Sequence, residues 1–184
     1  MQAKEITRLS NKDYLQGELD SDIRHEFYDG LVFAMAGAGE KHNIISLNIA
    51  TALRQKARGT GCRTFIADMK LYIPVLNRFY YPDILLCCDP EDSHEYYKQT
   101  PCLIVEVLSP STESIDRREK LHAYQDIASV KEYLLVSQEG VQLELYRRDG
   151  DHWQYFLLDD EADMLTLECV DLDLVMAEVY EDVF

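Results

Sequence analysis

The segment Cys102-Leu103-Ile104-Val105-Glu106-Val107-Leu108 sets one acid inside a run that is otherwise apolar. It is short and bounded by Pro101 and Ser109-Pro110, so it reads as a strand buried on both faces. Desolvating a carboxylate in such a strand is costly unless a partner meets it. A second acid, Asp83, lies 23 residues earlier in Tyr81-Pro82-Asp83-Ile84-Leu85-Leu86, also beside an apolar run. Adjacent strands would bring both carboxylates to one divalent cation, which points to metal-assisted hydrolysis of phosphodiesters.

The surrounding pattern alternates helices with strands. Asn11-Lys12-Asp13-Tyr14-Leu15 predicts a short helix with an Asn cap. Residues 24–28 and 31–36 flank Asp29-Gly30, a two-residue hairpin signal. Ile44, Ile45, Leu47, Ile49, Ala52 and Leu53 recur at helical spacing over 41–58, stopped by Gly59 and Gly61. Strands are expected at 63–67, 70–73, 84–88 and 102–108, then a helix over 117–127. Strands at 132–137 and 141–147 pair across Glu139-Gly140, and 153–157 extends them. The expected class is α/β or α+β, a mixed central β-sheet flanked by helices with an N-terminal β-hairpin, as a single domain over 1–184.

No apolar run approaches the length of a membrane span, and residues 1–5 do not open a signal-peptide core. The cytoplasm is the expected compartment. The five cysteines, Cys62, Cys87, Cys88, Cys102 and Cys169, lack Cys-x-x-Cys spacing and are expected to be reduced, free core thiols rather than zinc ligands. The net charge of −16 at first argues against nucleic acid. Its distribution softens that objection: twelve acids follow Arg148 with no Lys or Arg, leaving 22 of the 34 acids against all 18 bases before it. The acidic C-terminal segment is expected to face away from a polyanion.

Pro82-Asp83, then Glu106 on an apolar strand, then a helix, resembles the PD-(D/E)XK nuclease superfamily. Tyr81-Pro82-Asp83, Val105-Glu106-Val107-Leu108-Ser109-Pro110-Ser111-Thr112, Asp116 with Lys120, and Glu132-Tyr133 are similar to the Uma-type family of restriction endonucleases. Glu26-Phe27-Tyr28-Asp29-Gly30 and His42 extend the resemblance to roughly residues 10–150. It implies a restriction-endonuclease-like core and a Mg²⁺-dependent endonuclease acting on DNA, with Mn²⁺ as a possible substitute. It also implies Asp83 and Glu106 as metal ligands, a backbone carbonyl near Val107 as a third oxygen, and Lys120 and Glu26 as further site residues. A homodimer would place one site on each strand of a duplex.

The sequence departs from the superfamily two residues after Glu106, where Leu108 occupies the lysine position. Residues 106 and 108 share a strand face, so that lysine would have met the same metal. The resemblance moves the role to Lys120 on the next helix, with Asp116 one turn before it able to pair at i,i+4. For Glu26, a cross-strand or turn role stands beside a water-orienting one. His42 reads as structural or as lying near the site, and Asp68 is equally open. Arg54, Lys56, Arg58, Arg63, Arg117 and Arg118 are candidates for phosphate contacts or for solubility. The competing function is a catalytically inactive module of the same fold that binds nucleic acid or a protein; hydrolysis of another phosphate ester is a third.

Overall fold

A computed structural model describes residues 8–184; the opening residues 1–5 lie outside the described residues. Helix α1 (Asn11–Asp20) is capped by Ser10, whose hydroxyl accepts from the Asp13 amide at 3.1 Å, so the cap falls one residue before the expected asparagine. Strands β1 (His25–Tyr28) and β2 (Leu31–Ala34) form the expected hairpin. Asp29 and Gly30 both take positive φ, 45° and 94°, as a primed two-residue turn requires. Helix α2 (Glu40–Lys56) follows, then β3 (Arg63–Ile66), β4 (Lys70–Ile73), a 3₁₀ turn at Pro74–Leu76, β5 (Arg78–Tyr80), β6 (Ile84–Cys87), β7 (Tyr97–Lys98) and β8 (Pro101–Leu108).

The helix expected over 117–127 begins earlier and is irregular: α3 (Glu113–Ile115), one π-helical turn (Asp116–Lys120) and α4 (Leu121–Gln125) run on without a break. The chain closes with β9 (Glu132–Ser137), β10 (Leu143–Asp149), β11 (His152–Leu158), β12 (Met164–Leu167), β13 (Leu172–Val175) and α5 (Met176–Val179).

The strands form two larger sheets and a hairpin. One sheet has the order β11-β10-β9-β8-β6-β3, the other β2-β1-β5-β4-β7, and β12 pairs with β13. The first is mixed, because β8 runs parallel to β9 and antiparallel to β6. All eight residues of β8 are buried, and its side chains alternate between two cores. Leu103, Val105 and Val107 pack in a core with Ile45, Ile49 and Leu53 of α2. Ile104 and Leu108 join Tyr80, Ala123, Tyr124 and Tyr133 on the other side. The two-sided burial read from the sequence therefore puts Glu106 on the tyrosine-rich face.

The expectation of free cysteines is corrected for four of the five. Cys62 is joined to Cys88 and Cys102 to Cys169; only Cys87 is free. Each pair is distant in sequence, by 26 and 67 residues, so the sheet rather than local spacing brings them together. Among the described residues no helix is long and apolar enough to cross a membrane.

Candidate active site

Asp83 sits where the chain enters β6, just after Pro82. Pro82 offers no N–H to a neighbouring strand, and beyond Val105 the β6 edge of β8 is unpaired, while its other edge stays paired with β9 out to Leu108. The Val107 amide, left free by that divergence, donates to Asp83 Oδ2 at 2.7 Å. The Asp83 amide in turn contacts Glu106 Oε2 at 3.4 Å. Two acids that the sequence suggested as a pair are thus linked through the amides of Asp83 and Val107.

Lys120 completes the arrangement from the π-helical turn. Its Nζ lies 3.0 Å from Glu106 Oε1, 3.2 Å from Glu26 Oε1 and 3.1 Å from Asp116 Oδ1. A π turn widens the helix locally and changes the direction of the side chains it carries, a device common at functional sites. Asp116 and Lys120, one at each end of the turn, are both buried. Glu26 reaches the same ammonium from β1, and its Oε2 accepts from Tyr28 Oη at 2.9 Å. Glu26 is thus brought to the same ammonium as Glu106 and Asp116.

Burial and charge together set the protonation. Glu106 is 3% exposed; its carboxyl is pushed well above the ordinary range by burial, opposed by Lys120 and reinforced by Asp116 and Asp83. Burial likewise raises Asp116, against the pull of Lys120. Burial disfavours the Lys120 ammonium, but Glu106, Glu26 and Asp116 more than offset that and hold it charged. Three carboxylates therefore share one ammonium, and Glu26 Oε1 and Asp116 Oδ1 have Lys120 as their one polar partner among the described residues.

His42, open between two readings in the sequence, belongs to the site. It occupies the first turn of α2, and its Nε2 lies 3.1 Å from Asp83 Oδ2. Burial works against its charge, but Asp83, Asp116 and a hydrogen bond to the Val107 backbone raise its pKa above the usual histidine value. The ring donates to the backbone at Val107 while the Val107 amide is committed to Asp83, so the imidazolium bridges two groups proposed as metal ligands. Tyr124, which the sequence did not mark, donates to Glu106 Oε1 at 2.8 Å, and Tyr133 donates to the Asp116 carbonyl at 3.1 Å. The one signal for Tyr124 is its place four residues after Lys120, on the same helix face.

Other candidates lie elsewhere. Asp68 is exposed and pairs with Arg24 at 2.8 Å. Arg54, Lys56 and Arg58 lie near the far end of α2, about 18 Å or more along the axis from His42. Arg117 is bound to Glu113 and Glu144, leaving Arg118 the exposed member of its pair. Glu132 is fully buried against Arg147, outside the site. Leu108 points to the Glu106 side, as alternation requires, but packs into the core with Tyr124.

The donor set suits a hard divalent cation: carboxylate oxygens from Asp83 and Glu106 meeting beside the Val107 backbone, with Glu26 and Asp116 adding more negative charge than Lys120 and His42 offset. Mixed sheet, flanking helices and this acidic cluster together define a nuclease-like fold. A solved structure, a putative nuclease belonging to DUF820 from Anabaena variabilis, superposes with a TM-score of 0.73 at 13% identity, covering 89% of this chain and 93% of that one.

Residues 12–177 match the Uma2 family, described as "Putative restriction endonuclease", and the chain belongs to that family. Two uncharacterized proteins of Synechocystis sp. are similar to it. One, slr1290, is 34% identical over 174 residues, covering 94% of this chain and 92% of the relative. The other, sll1609, is 31% identical over 146 residues, covering 78% and 82%.

Proposed function

We propose that this protein is a divalent-metal-dependent endonuclease that hydrolyses phosphodiester bonds in DNA. The observation that carries the reading is the cluster of three carboxylates around the buried Lys120 ammonium, with Asp83 beside it on His42 and linked to Glu106 through its amide. Asp83, Glu106 and the Val107 carbonyl would hold Mg²⁺, or Mn²⁺ in its place. The bound ion would supply Lewis acidity toward a phosphate oxygen and a water of lowered pKa.

The protein's own groups have separable tasks. Lys120 fixes Glu106 through its Oε1 and presents positive charge where the phosphate gains negative charge in the transition state. Tyr124 holds the same carboxylate oxygen from the other side, so Glu106 keeps one orientation. Glu26, its Oε1 held by Lys120 at 3.2 Å and its Oε2 by Tyr28, would orient a water or accept its proton. His42 occupies Asp83 when protonated and releases it when neutral. The family membership supports a nucleic-acid substrate, and Lys120 would supply the charge that the strand lets go at Leu108. A homodimer, with one site for each strand, and a cytoplasmic setting complete the proposal.

The test is nicking of supercoiled plasmid by purified protein in Mg²⁺ and in EDTA. Cleavage should require the metal and vanish in Asp83→Ala and Glu106→Ala. Undiminished cleavage by folded variants would remove both residues from the mechanism. Calorimetric titration with Mg²⁺ separates the inactive-module reading: no heat and no cleavage from the wild-type chain would favour it.

A further inference from the structure

The second concentration of metal-binding side chains lies away from the carboxylates, where the four paired cysteines meet. Cys62 precedes β3 and Cys88 follows β6, one step beyond the Arg63–Cys87 register pair of these antiparallel strands. Cys102 is the second residue of β8, the neighbour of β6, and Cys169 sits in the turn between β12 and β13. The two disulfides lie side by side. Cys88 Sγ is 3.5 Å from Cys102 Sγ, and the sulfurs of Cys88, Cys102 and Cys169 all lie within 4.8 Å of one another.

Convergence of this kind is more than two disulfides need. Tetrahedral zinc with Zn–S bonds of about 2.3 Å requires sulfurs separated by roughly 3.8 Å. The sheet places Cys62, Cys88 and Cys102 at neighbouring strand ends, and the fourth sulfur arrives on an anchored turn. Buried Glu132 accepts from the amides of Glu168 and Cys169, at 3.1 and 3.0 Å, fixing that turn against β9. Lys56 reaches Asp171 from α2 at 3.5 Å.

The electrostatics suit thiolates. A recess of about 270 Å³ beside Cys62 is lined by Arg54 and Arg58 among others. Cations so placed favour thiolate over thiol and offset the net −2 charge of a tetrathiolate zinc centre. The Arg63 guanidinium lies on the other face, bonded to the Asp92 carbonyl at 3.5 Å. Cys87 is excluded: it is buried on the opposite face of β6, and burial pushes its thiol up to about 12.

We propose that the reduced chain binds one Zn²⁺ through Cys62, Cys88, Cys102 and Cys169, a structural site that fastens the acidic C-terminal hairpin to the central sheet. A dithiol reductant gives two electrons to each disulfide, yielding four thiols; on binding, each thiol releases its proton to solvent and donates a sulfur lone pair to the ion. Disulfides rarely persist in a reducing cytosol, whereas a closed tetrathiolate zinc site does. Long and irregular spacing hid the site from the sequence, since its ligands come from four separate strand ends and turns.

The test is anaerobic titration of the full-length, fully reduced protein with Co²⁺, then Zn²⁺. Thiolate-to-cobalt charge-transfer absorption should rise to saturation at one equivalent and be bleached by Zn²⁺. Reaction of the thiols with an aromatic disulfide should slow at least tenfold once zinc is bound, leaving Cys87 to be counted only on unfolding. Cys87→Ala and Asp83→Asn should keep the charge-transfer band, the latter separating this site from the carboxylate cluster, and the double variant Cys102→Ser/Cys169→Ser should lose it. Absence of the band from the reduced wild-type chain, or its survival in the double variant, overturns the proposal. The wild-type titration decides even where the double variant fails to fold.

Discussion

Replacing Glu106 with glutamine separates what the site does for stability from what it does for chemistry. Breaking one partner of a buried ion pair usually costs about 3–5 kcal/mol, because it strands a charge. Here it does not, since Lys120 keeps Glu26 at 3.2 Å and Asp116 at 3.1 Å. The glutamine carbonyl can still accept from Lys120 and Tyr124, so what is removed is chiefly one desolvated negative charge facing three others. Glu106→Gln should therefore be as stable as wild type or more stable by about 1–2 kcal/mol at pH 8 in EDTA, while cleavage is lost.

The pH dependence fixes the sign. The folded pKa of Glu106 lies above its unfolded value of 4.5, so its contribution to stability is fully present below pH 4.5 and is lost as pH rises through the folded value. Over that window the wild type loses up to about 1.4 kcal/mol per pH unit relative to the variant. Urea denaturation in EDTA at pH 5 and pH 8 measures it: the variant's advantage should grow with pH, and Mg²⁺ should stabilise only the wild type. A variant destabilised by about 2 kcal/mol or more at pH 8 would show that Glu106 is a structural anchor and refute the charge argument.

Two further outcomes follow from the same contacts. His42 should titrate with a midpoint above its ordinary 6.5 in EDTA, followed by ring-proton NMR. The Asp83–His42 pair is then present below pH 6.5 and lost as pH rises through the raised value, and Mg²⁺ should lower the midpoint by competing for Asp83; a midpoint indifferent to Mg²⁺ would place the ion elsewhere. Tyr180 donates to the Ser137 and Gln142 carbonyls at 2.9 and 2.7 Å and accepts from the Gln142 amide at 3.1 Å. Tyr180→Phe should cost about 1–3 kcal/mol in urea denaturation by removing the hydroxyl from the Ser137 carbonyl and the Gln142 amide, while the Gln142 carbonyl keeps the Ser137 amide at 2.9 Å, with cleavage per folded molecule unchanged; no measurable loss would mean that water satisfies them.

What the sequence revealed follows from the range of the physics involved. Glu106 was legible because strand alternation is local: an acid within Leu-Ile-Val-Glu-Val-Leu has few bland explanations. The hairpin was legible because Asp29-Gly30 supplies the positive φ its turn needs. Lys120 had no such signal, since its distance from Glu106 has no period, and the resemblance alone pointed to it. The β12–β13 pair was missed because each strand is only four residues long and the chain around them is crowded with acids. The cysteines misled because their pairing depends on strand order, which no spacing rule encodes.

Leu108 and the π-helical turn are best understood as parts of one solution. A lysine at 108 would bring its ammonium to Glu106 from the same strand, but its stem would have to replace a leucine packed among Ile104, Ala123, Tyr124 and Leu135. Supplying the charge from Lys120 leaves that core apolar and lets Tyr124, one turn further along, donate to the same carboxylate oxygen. It also brings Asp116 into contact with the ammonium, an acid that a strand lysine would not carry with it. The cost is a helix opened by one π turn and a further buried carboxylate. Asp116 thus lies at Lys120 because helix geometry couples the two, whereas Asp83 lies at Glu106 because two strands diverge; the cluster owes its excess negative charge to the meeting of these two arrangements.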